Sequence, residues 1–267
     1  MVGTEVAATD QGVGPLVRIR GVTKSFGAVH ALTEVDLEIE AGKVTALVGD
    51  NGAGKSSLVK TISGLWEPDA GEILWHDRPV HLRSPKDAEA LGITTIYQDL
   101  ALCDNLDIVQ NMFLGHEAMR HGLLDESTME TTTKATLESL SVTTIRSIRQ
   151  PVASLSGGQR QSVAVAKAVM AKAELVIMDE PTAALGVAQT RTVLDLIKRL
   201  TSQGVTVLMI SHNLNDVFEV ADRIAILYLG RIVAVQPASS IDSQVVVDYM
   251  TTGRSDRAAP AAGNERP

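Results

Sequence analysis

The eight residues Gly49-Asp50-Asn51-Gly52-Ala53-Gly54-Lys55-Ser56 constrain this chain more than any other stretch. They fit the spacing G-x-x-x-x-G-K-[ST], directly after the short apolar run VTALV at 44–48 and before a helical pattern over 55–64. A turn between a buried strand and a helix points backbone N–H groups at an anion. Gly49, Gly52 and Gly54 permit the backbone conformations that wrap such an anion and keep Cβ atoms out of its way. Lys55 is placed to reach the β/γ-phosphates of a nucleotide, Ser56 to offer its hydroxyl to Mg²⁺, and Ser57 continues the cradle. Four fixed positions of this kind arise by accident in 267 residues with odds of about one in a hundred. The strand-turn-helix context lowers those odds further, so a nucleotide site is expected.

Around this loop the pattern is that of an α/β protein. Apolar runs at 93–97, 175–178, 205–210 and 224–228 read as buried strands, and 187–200 and 213–220 as the helices between them. Such alternation predicts a mostly parallel sheet flanked by helices, a P-loop NTPase core. Residues 16–20 and 35–40 read as strands near a sheet edge, and 71–80 as a small hairpin turning at His76-Asp77, which together predict an antiparallel β subdomain. From 107 to about 146 the pattern becomes helical and more polar, and 158–172 is amphipathic, with Val163, Ala166, Val169 and Ala173 at helical spacing. The expected organisation is a single domain over 16–250, with a helical subdomain over about 99–172 inserted in its core. Loose tails are expected at 1–15 and 251–267, both rich in small and polar residues.

Composition narrows the partners. Lys plus Arg number 24 against 32 for Asp plus Glu, a net charge of −8, which argues against broad nucleic-acid binding because that needs a basic face. A single cysteine, Cys103, excludes an intrachain disulfide and fits a reducing compartment. No apolar run of about 18 residues is present, so the chain is not expected to span a membrane.

Two further motifs carry chemistry. The strand LVIM ends in Asp179-Glu180, and at the C-terminal edge of a parallel sheet such a pair lies beside the phosphate loop. There Asp179 is placed to bind Mg²⁺ and Glu180 to polarise an attacking water. About 100 residues after the first loop, Leu155-Ser156-Gly157-Gly158-Gln159 opens the helix at 158–172. Serine and two glycines at a helix start make a second anion-binding device, with Ser156, Gly157, Gly158 and Gln159 as its members. One nucleotide pinched between both loops explains their presence in one chain, and the loops need not come from the same molecule.

With these residues in place the chain resembles the ABC ATPase family over roughly residues 16–250. The resemblance implies that LSGGQ closes over the γ-phosphate held by the phosphate loop of a second copy. It also implies that Phe26 in KSFGAVHAL stacks on adenine, that Gln98 in TIYQDL senses Mg²⁺ and the γ-phosphate, and that His212 in VTVLMISH contacts the γ-phosphate. Gly186 departs from the pattern, standing where the family usually places an Asp that helps couple the two sites of the dimer. YQDLALCDNLDIVQNMFLG and ISHNLNDVFEVADRIAILYLGR look like the ATPases of monosaccharide importers of the ribose/fructose type. The resemblance thus implies a homodimeric ATPase using ATP and Mg²⁺ at the cytoplasmic face of a membrane. Its implied partners are integral-membrane permease subunits and, indirectly, a periplasmic or lipid-anchored sugar-binding protein. A soluble ABC ATPase acting in translation or DNA repair is the alternative, ranked lower because the chain carries one cassette and no heptad array. LSGGQ sets an unrelated P-loop enzyme, such as a kinase, further back.

Overall fold

The structure, a computed structural model, describes residues 14–255. The chain opens with two long strands, β1 (Pro15–Phe26) and β2 (Val29–Glu40), paired antiparallel. β3 (Val44–Val48) follows, five buried residues in a row, and runs through the glycine-rich turn into α1 (Lys55–Ile62). Gly64, two residues past α1, has φ +73° and its Cβ position lies against the Ser84 carbonyl, so the helix stop requires glycine. β4 (Ala70–Trp75) and β5 (Arg78–Val80) form the expected hairpin, with His76 and Asp77 both at positive φ as a two-residue turn demands. The antiparallel sheet has the order β2-β1-β4-β5, so β2 is an edge strand and β1 lies next to it, paired on both sides.

α2 (Pro85–Ala90), capped by Ser84, leads to β6 (Ile93–Ile96). Between β6 and the next core strand lie α3 (Ile108–Phe113), a two-residue-per-strand ribbon of β7 (Met119–Arg120) and β8 (Leu123–Leu124), α4 (Glu126–Ser139) and α5 (Gly157–Met170). The ribbon interrupts a stretch expected to be helical throughout. Then β9 (Leu175–Asp179), α6 (Val187–Ser202), β10 (Thr206–Ile210), α7 (Leu214–Val220), β11 (Arg223–Tyr228), β12 (Arg231–Pro237) and α8 (Ser243–Thr252) complete the described chain. Pro15 belongs to β1 and Thr251 and Thr252 to α8, so the expected tails are shorter at those points; 1–13 and 256–267 lie outside the described residues.

The six-stranded sheet has the order β12-β11-β3-β10-β9-β6, parallel except for β12. Alternation sends successive side chains to opposite faces. Val176 and Met178 of β9 with Val207 and Met209 of β10 pack under α3, α5 and α6. Leu175 and Ile177 with Leu208 and Ile210 pack on the other face, against α1 and the antiparallel sheet. Such strands are apolar at nearly every position because both faces are covered, Thr45 and Thr206 being the buried exceptions in β3 and β10. Burial on α5 is wider than the expected stripe: Val163, Ala164, Val165, Ala166 and Ala168 are all buried, whereas Val169 is half-exposed.

Candidate nucleotide site

Register places the chemistry. β10 lies between β3 and β9, with Ile210 opposite Leu47 on one side and Asp179 on the other. The residues that follow these positions therefore emerge together at one sheet edge: Gly49 from β3, Glu180 from β9 and His212 from β10. Glu180 and His212 line a groove of about 470 Å³ with Asn51, Gly52, Ala53, Gly54, Lys55, Ser56, Ser57, Gln98 and Asp179. Val29, His30, Ala31 and Ala183 complete its walls, and none of these four was singled out from the sequence. Their types are ordinary, and only the fold brings them to the loop.

The glycines of the loop answer to different constraints. A Cβ on Gly49 would lie 2.4 Å from the Leu227 carbonyl oxygen, and one on Gly54 would lie 2.6 Å from that of Ala31, so both are fixed by close backbone approach. Gly52 meets nothing but has φ +81°, so its constraint is conformational. Gly54 is the N-cap of α1 and makes no side-chain cap bond, which leaves the N–H groups of the first turn for a ligand.

Lys55 extends back over the loop, its Nζ donating to the Gly49 carbonyl at 2.6 Å and the Asp50 carbonyl at 3.0 Å. Half-burial pushes its pKa below the ordinary lysine value, opposed by the carboxylates of Glu180, Asp50 and Asp179. Asp179 shifts the other way: burial raises it, Glu180 adds to the rise, and Lys55 and Lys60 pull it down. Among the described residues no group of three or more His, Cys, Asp and Glu is placed to hold a metal by itself. A single hydroxyl and a single half-buried carboxylate suit Mg²⁺, which takes few protein ligands and relies on phosphate oxygens for the rest.

Glu180 and His212 meet directly, Oε1 lying 2.8 Å from Nδ1. Glu180 holds φ +51°, a conformation side chains rarely adopt, and its N–H donates to the Ile210 carbonyl at 3.0 Å. Behind it, Thr182 Oγ1 donates to Asp216 Oδ2 at 2.6 Å, a buried pair tying the loop after Glu180 to α7. Sequence reading missed this pair because an acidic residue in a first helical turn looks like an ordinary dipole partner.

Phe26 stands apart from the groove lining. It ends β1 partly exposed, edge-on to Trp66 with ring centroids 4.6 Å apart, and Lys24 lies 5.7 Å from its ring centre. The signature residues also lie outside that lining. Ser156 caps α5, accepting from Gln159 N–H at 3.4 Å, while its own N–H donates to Gln159 Oε1 at 2.9 Å. A Cβ on Gly157 would meet Leu185 at 2.7 Å and one on Gly158 would meet Gln189 at 3.2 Å. These two glycines thus let α5 approach the start of α6, and the N–H of exposed Gly157 remains free of the capping box.

Residues 32–183 match the family model described as ABC transporter. This chain belongs to that family. As an ABC ATPase it is 46% identical to the fructose import ATP-binding protein FrcA of Rhizobium meliloti, over 89% of this chain and 94% of that protein. It is 47% identical to the xylose/arabinose import ATP-binding protein XylG of Sulfolobus acidocaldarius, again over 89% and 94%. Against the ribose import ATP-binding protein RbsA 1 of Rubrobacter xylanophilus it is 42% identical, over 90% of this chain but 48% of that longer protein. The solved ADP conformation of an ABC-transporter ATP-binding cassette shares the fold of this ABC ATPase at a TM-score of 0.76 and 24% identity, covering 89% of this chain and 95% of that one. No helix among the described residues is long and apolar enough to cross a membrane.

Proposed function

We propose that this ABC ATPase powers the import of a monosaccharide through a separate permease, acting as a homodimer that closes on two Mg-ATP. The convergence of Lys55, Asp179, Glu180 and His212 on one groove carries the chemical half of this reading. The import half rests on the three sugar-import relatives.

In this reading loop N–H groups and Lys55 would hold the β- and γ-phosphates, and Ser56 and Asp179 would hold Mg²⁺, whose charge would supply electrostatic stabilisation at the γ-phosphate. Glu180 accepts a proton from the attacking water, and His212 steadies the Glu180 carboxylate through the 2.8 Å bond. Gln98, exposed on the groove wall, reports the state of that site. Phe26 takes the adenine with Trp66 bracing its ring. Ser156, Gly157, Gly158 and Gln159 serve the nucleotide of the second copy, since they lie outside their own chain's groove lining. Residues 16–250 act as one domain, with about 99–172 as the helical part. A second groove, of about 550 Å³, is walled by Leu100, Leu102, Met112, Phe113 and Leu114 just beyond Gln98. We assign it to the permease, which holds the subunit at the cytoplasmic membrane face, with a sugar-binding protein acting from the far side.

Co-purification with the permease, followed by ATPase assays with the binding protein and a panel of sugars, tests the proposal. Stimulation by one monosaccharide is expected. ATPase activity indifferent to every sugar, in an assembled complex, would overturn the import reading.

A further inference from the structure

The stretch beyond Gln98 is sewn to the stretch that leads into the signature loop. Ala153 N–H donates to the Asp104 carbonyl and Val152 N–H to that of Leu106, both at 3.0 Å, and Asp107 and Pro151 form an antiparallel bridge. Arg160, one turn into α5, closes the seam. Its Nη1 donates to Asp104 Oδ1 at 2.9 Å, its Nη2 to the Ala153 carbonyl at 3.2 Å and its Nε to the Leu155 carbonyl at 3.4 Å. One planar guanidinium therefore clamps the residue before Ser156 to a carboxylate six residues beyond Gln98.

We infer that Arg160 and Asp104 are positioning residues that make the signature loop of a chain follow the Gln98 loop of the same chain. Gln98 lines one nucleotide groove, whereas Ser156 serves the nucleotide of the neighbouring copy. The clamp thus carries a displacement at the first nucleotide to the second through a contiguous chain of hydrogen bonds. The inference rests on the shared-site reading above. Asp104 is exposed, and an exposed ion pair adds little to stability. Its removal leaves the backbone bonds and the fold in place and loosens only the coupling.

The test uses the full chain carrying Glu180→Gln, with ATP-dependent dimerisation followed by analytical ultracentrifugation. Adding Asp104→Ala is expected to weaken the dimer about three- to tenfold, toward the lower end of the coupling seen within one hydrogen-bonded network. Melting temperature and nucleotide affinity of the monomer should stay unchanged. Asp104→Asn, which keeps an acceptor for Nη1, should restore most of the loss. With Glu180 intact, Asp104→Ala should lower kcat and leave KM alone. Dimerisation equal to the parent's, or a loss that tracks a fall in melting temperature, would overturn the inference alone. A parent that stays monomeric in ATP would overturn the shared-site reading and this inference with it.

Discussion

His212 Nδ1 and Glu180 Oε1 lie 2.8 Å apart, the imidazole mostly in solvent and the carboxylate mostly covered. The bond joins the ends of two adjacent parallel strands across the mouth of the phosphate groove. It uses one carboxylate oxygen of Glu180, so in the proposed mechanism the other is the one offered to a water, and orientation and proton acceptance fall to different residues.

Replacing Glu180 by Gln keeps the shape and removes the proposed proton acceptor. Hydrolysis should fall about 10²–10⁴-fold, the usual contribution of a general base. ATP binding should persist and a dimer should accumulate in ATP, visible by size-exclusion chromatography. Near-normal turnover would remove Glu180 from the chemistry.

Two substitutions in the phosphate loop should separate binding from folding. Lys55→Ala takes away the ammonium aimed along the loop and should weaken ATP binding, read by calorimetry, with little change in melting temperature. Gly49→Ala drives a methyl group to 2.4 Å from the Leu227 carbonyl oxygen and should lower the melting temperature as well. Equal affinities for Lys55→Ala and the parent would contradict the assignment of the loop.

Ser156 should act across the dimer. Cys103 forms its bonds to Asn111 through backbone atoms, so Cys103→Ser should leave them intact and clear the background for crosslinking. A cysteine at 156 and another beside the phosphate loop should then crosslink between chains, and only with ATP. Links within one chain, or links indifferent to ATP, would sink the shared site.

Asp179 should trade stability for chemistry. Burial raises its folded-state pKa above the unfolded value, so its contribution to stability is full at pH below the ordinary carboxylate value and is lost as pH rises through the raised one. At neutral pH the carboxylate is therefore a liability to the nucleotide-free fold. Asp179→Asn should melt higher than the parent at pH 7, the gain vanishing on acidification below the ordinary aspartate range, while Mg-dependent hydrolysis collapses. A lower melting temperature for Asp179→Asn at pH 7 would contradict the burial argument.

Gly186 is the N-cap of α6 without a side-chain cap, and a Cβ there meets nothing. Gly186→Asp should fit and stabilise by a few tenths of a kcal/mol as a better cap. Its effect on cooperativity between sites, read from the Hill coefficient of ATP hydrolysis, tells whether the glycine sets the coupling.

The legible parts of this chain were those in which local chemistry and final environment agree. VTALV, LVIM and TVLMI are mostly apolar and buried at every position because the sheet is covered on both faces, and their ends supplied Lys55, Asp179, Glu180 and His212 to one groove. The hairpin at His76-Asp77 announced itself through its polar turn. What stayed hidden depends on distant partners. α2 is a short polar helix identified by its Ser84 cap, and β12 is a half-exposed edge strand whose place is set by pairing with β11. The β7–β8 ribbon has two residues a side, too few for any period to show. The same holds for the site: Thr182 and Asp216 are 34 positions apart, and Gly157 is small because Leu185 lies against it.

The left-handed backbone at Glu180 places a second filter on that position, independent of ATP. Glycine, asparagine and aspartate enter such a conformation cheaply, whereas valine, isoleucine and threonine strain it. A library randomised at 180 and sorted only for soluble expression should therefore return the first group in excess, and the same library sorted for transport should return glutamate. The two distributions measure separately what the backbone and the reaction ask of one residue, and glutamine, strained by the backbone to the same degree as glutamate, is the substitution whose kinetic effect reads the reaction alone.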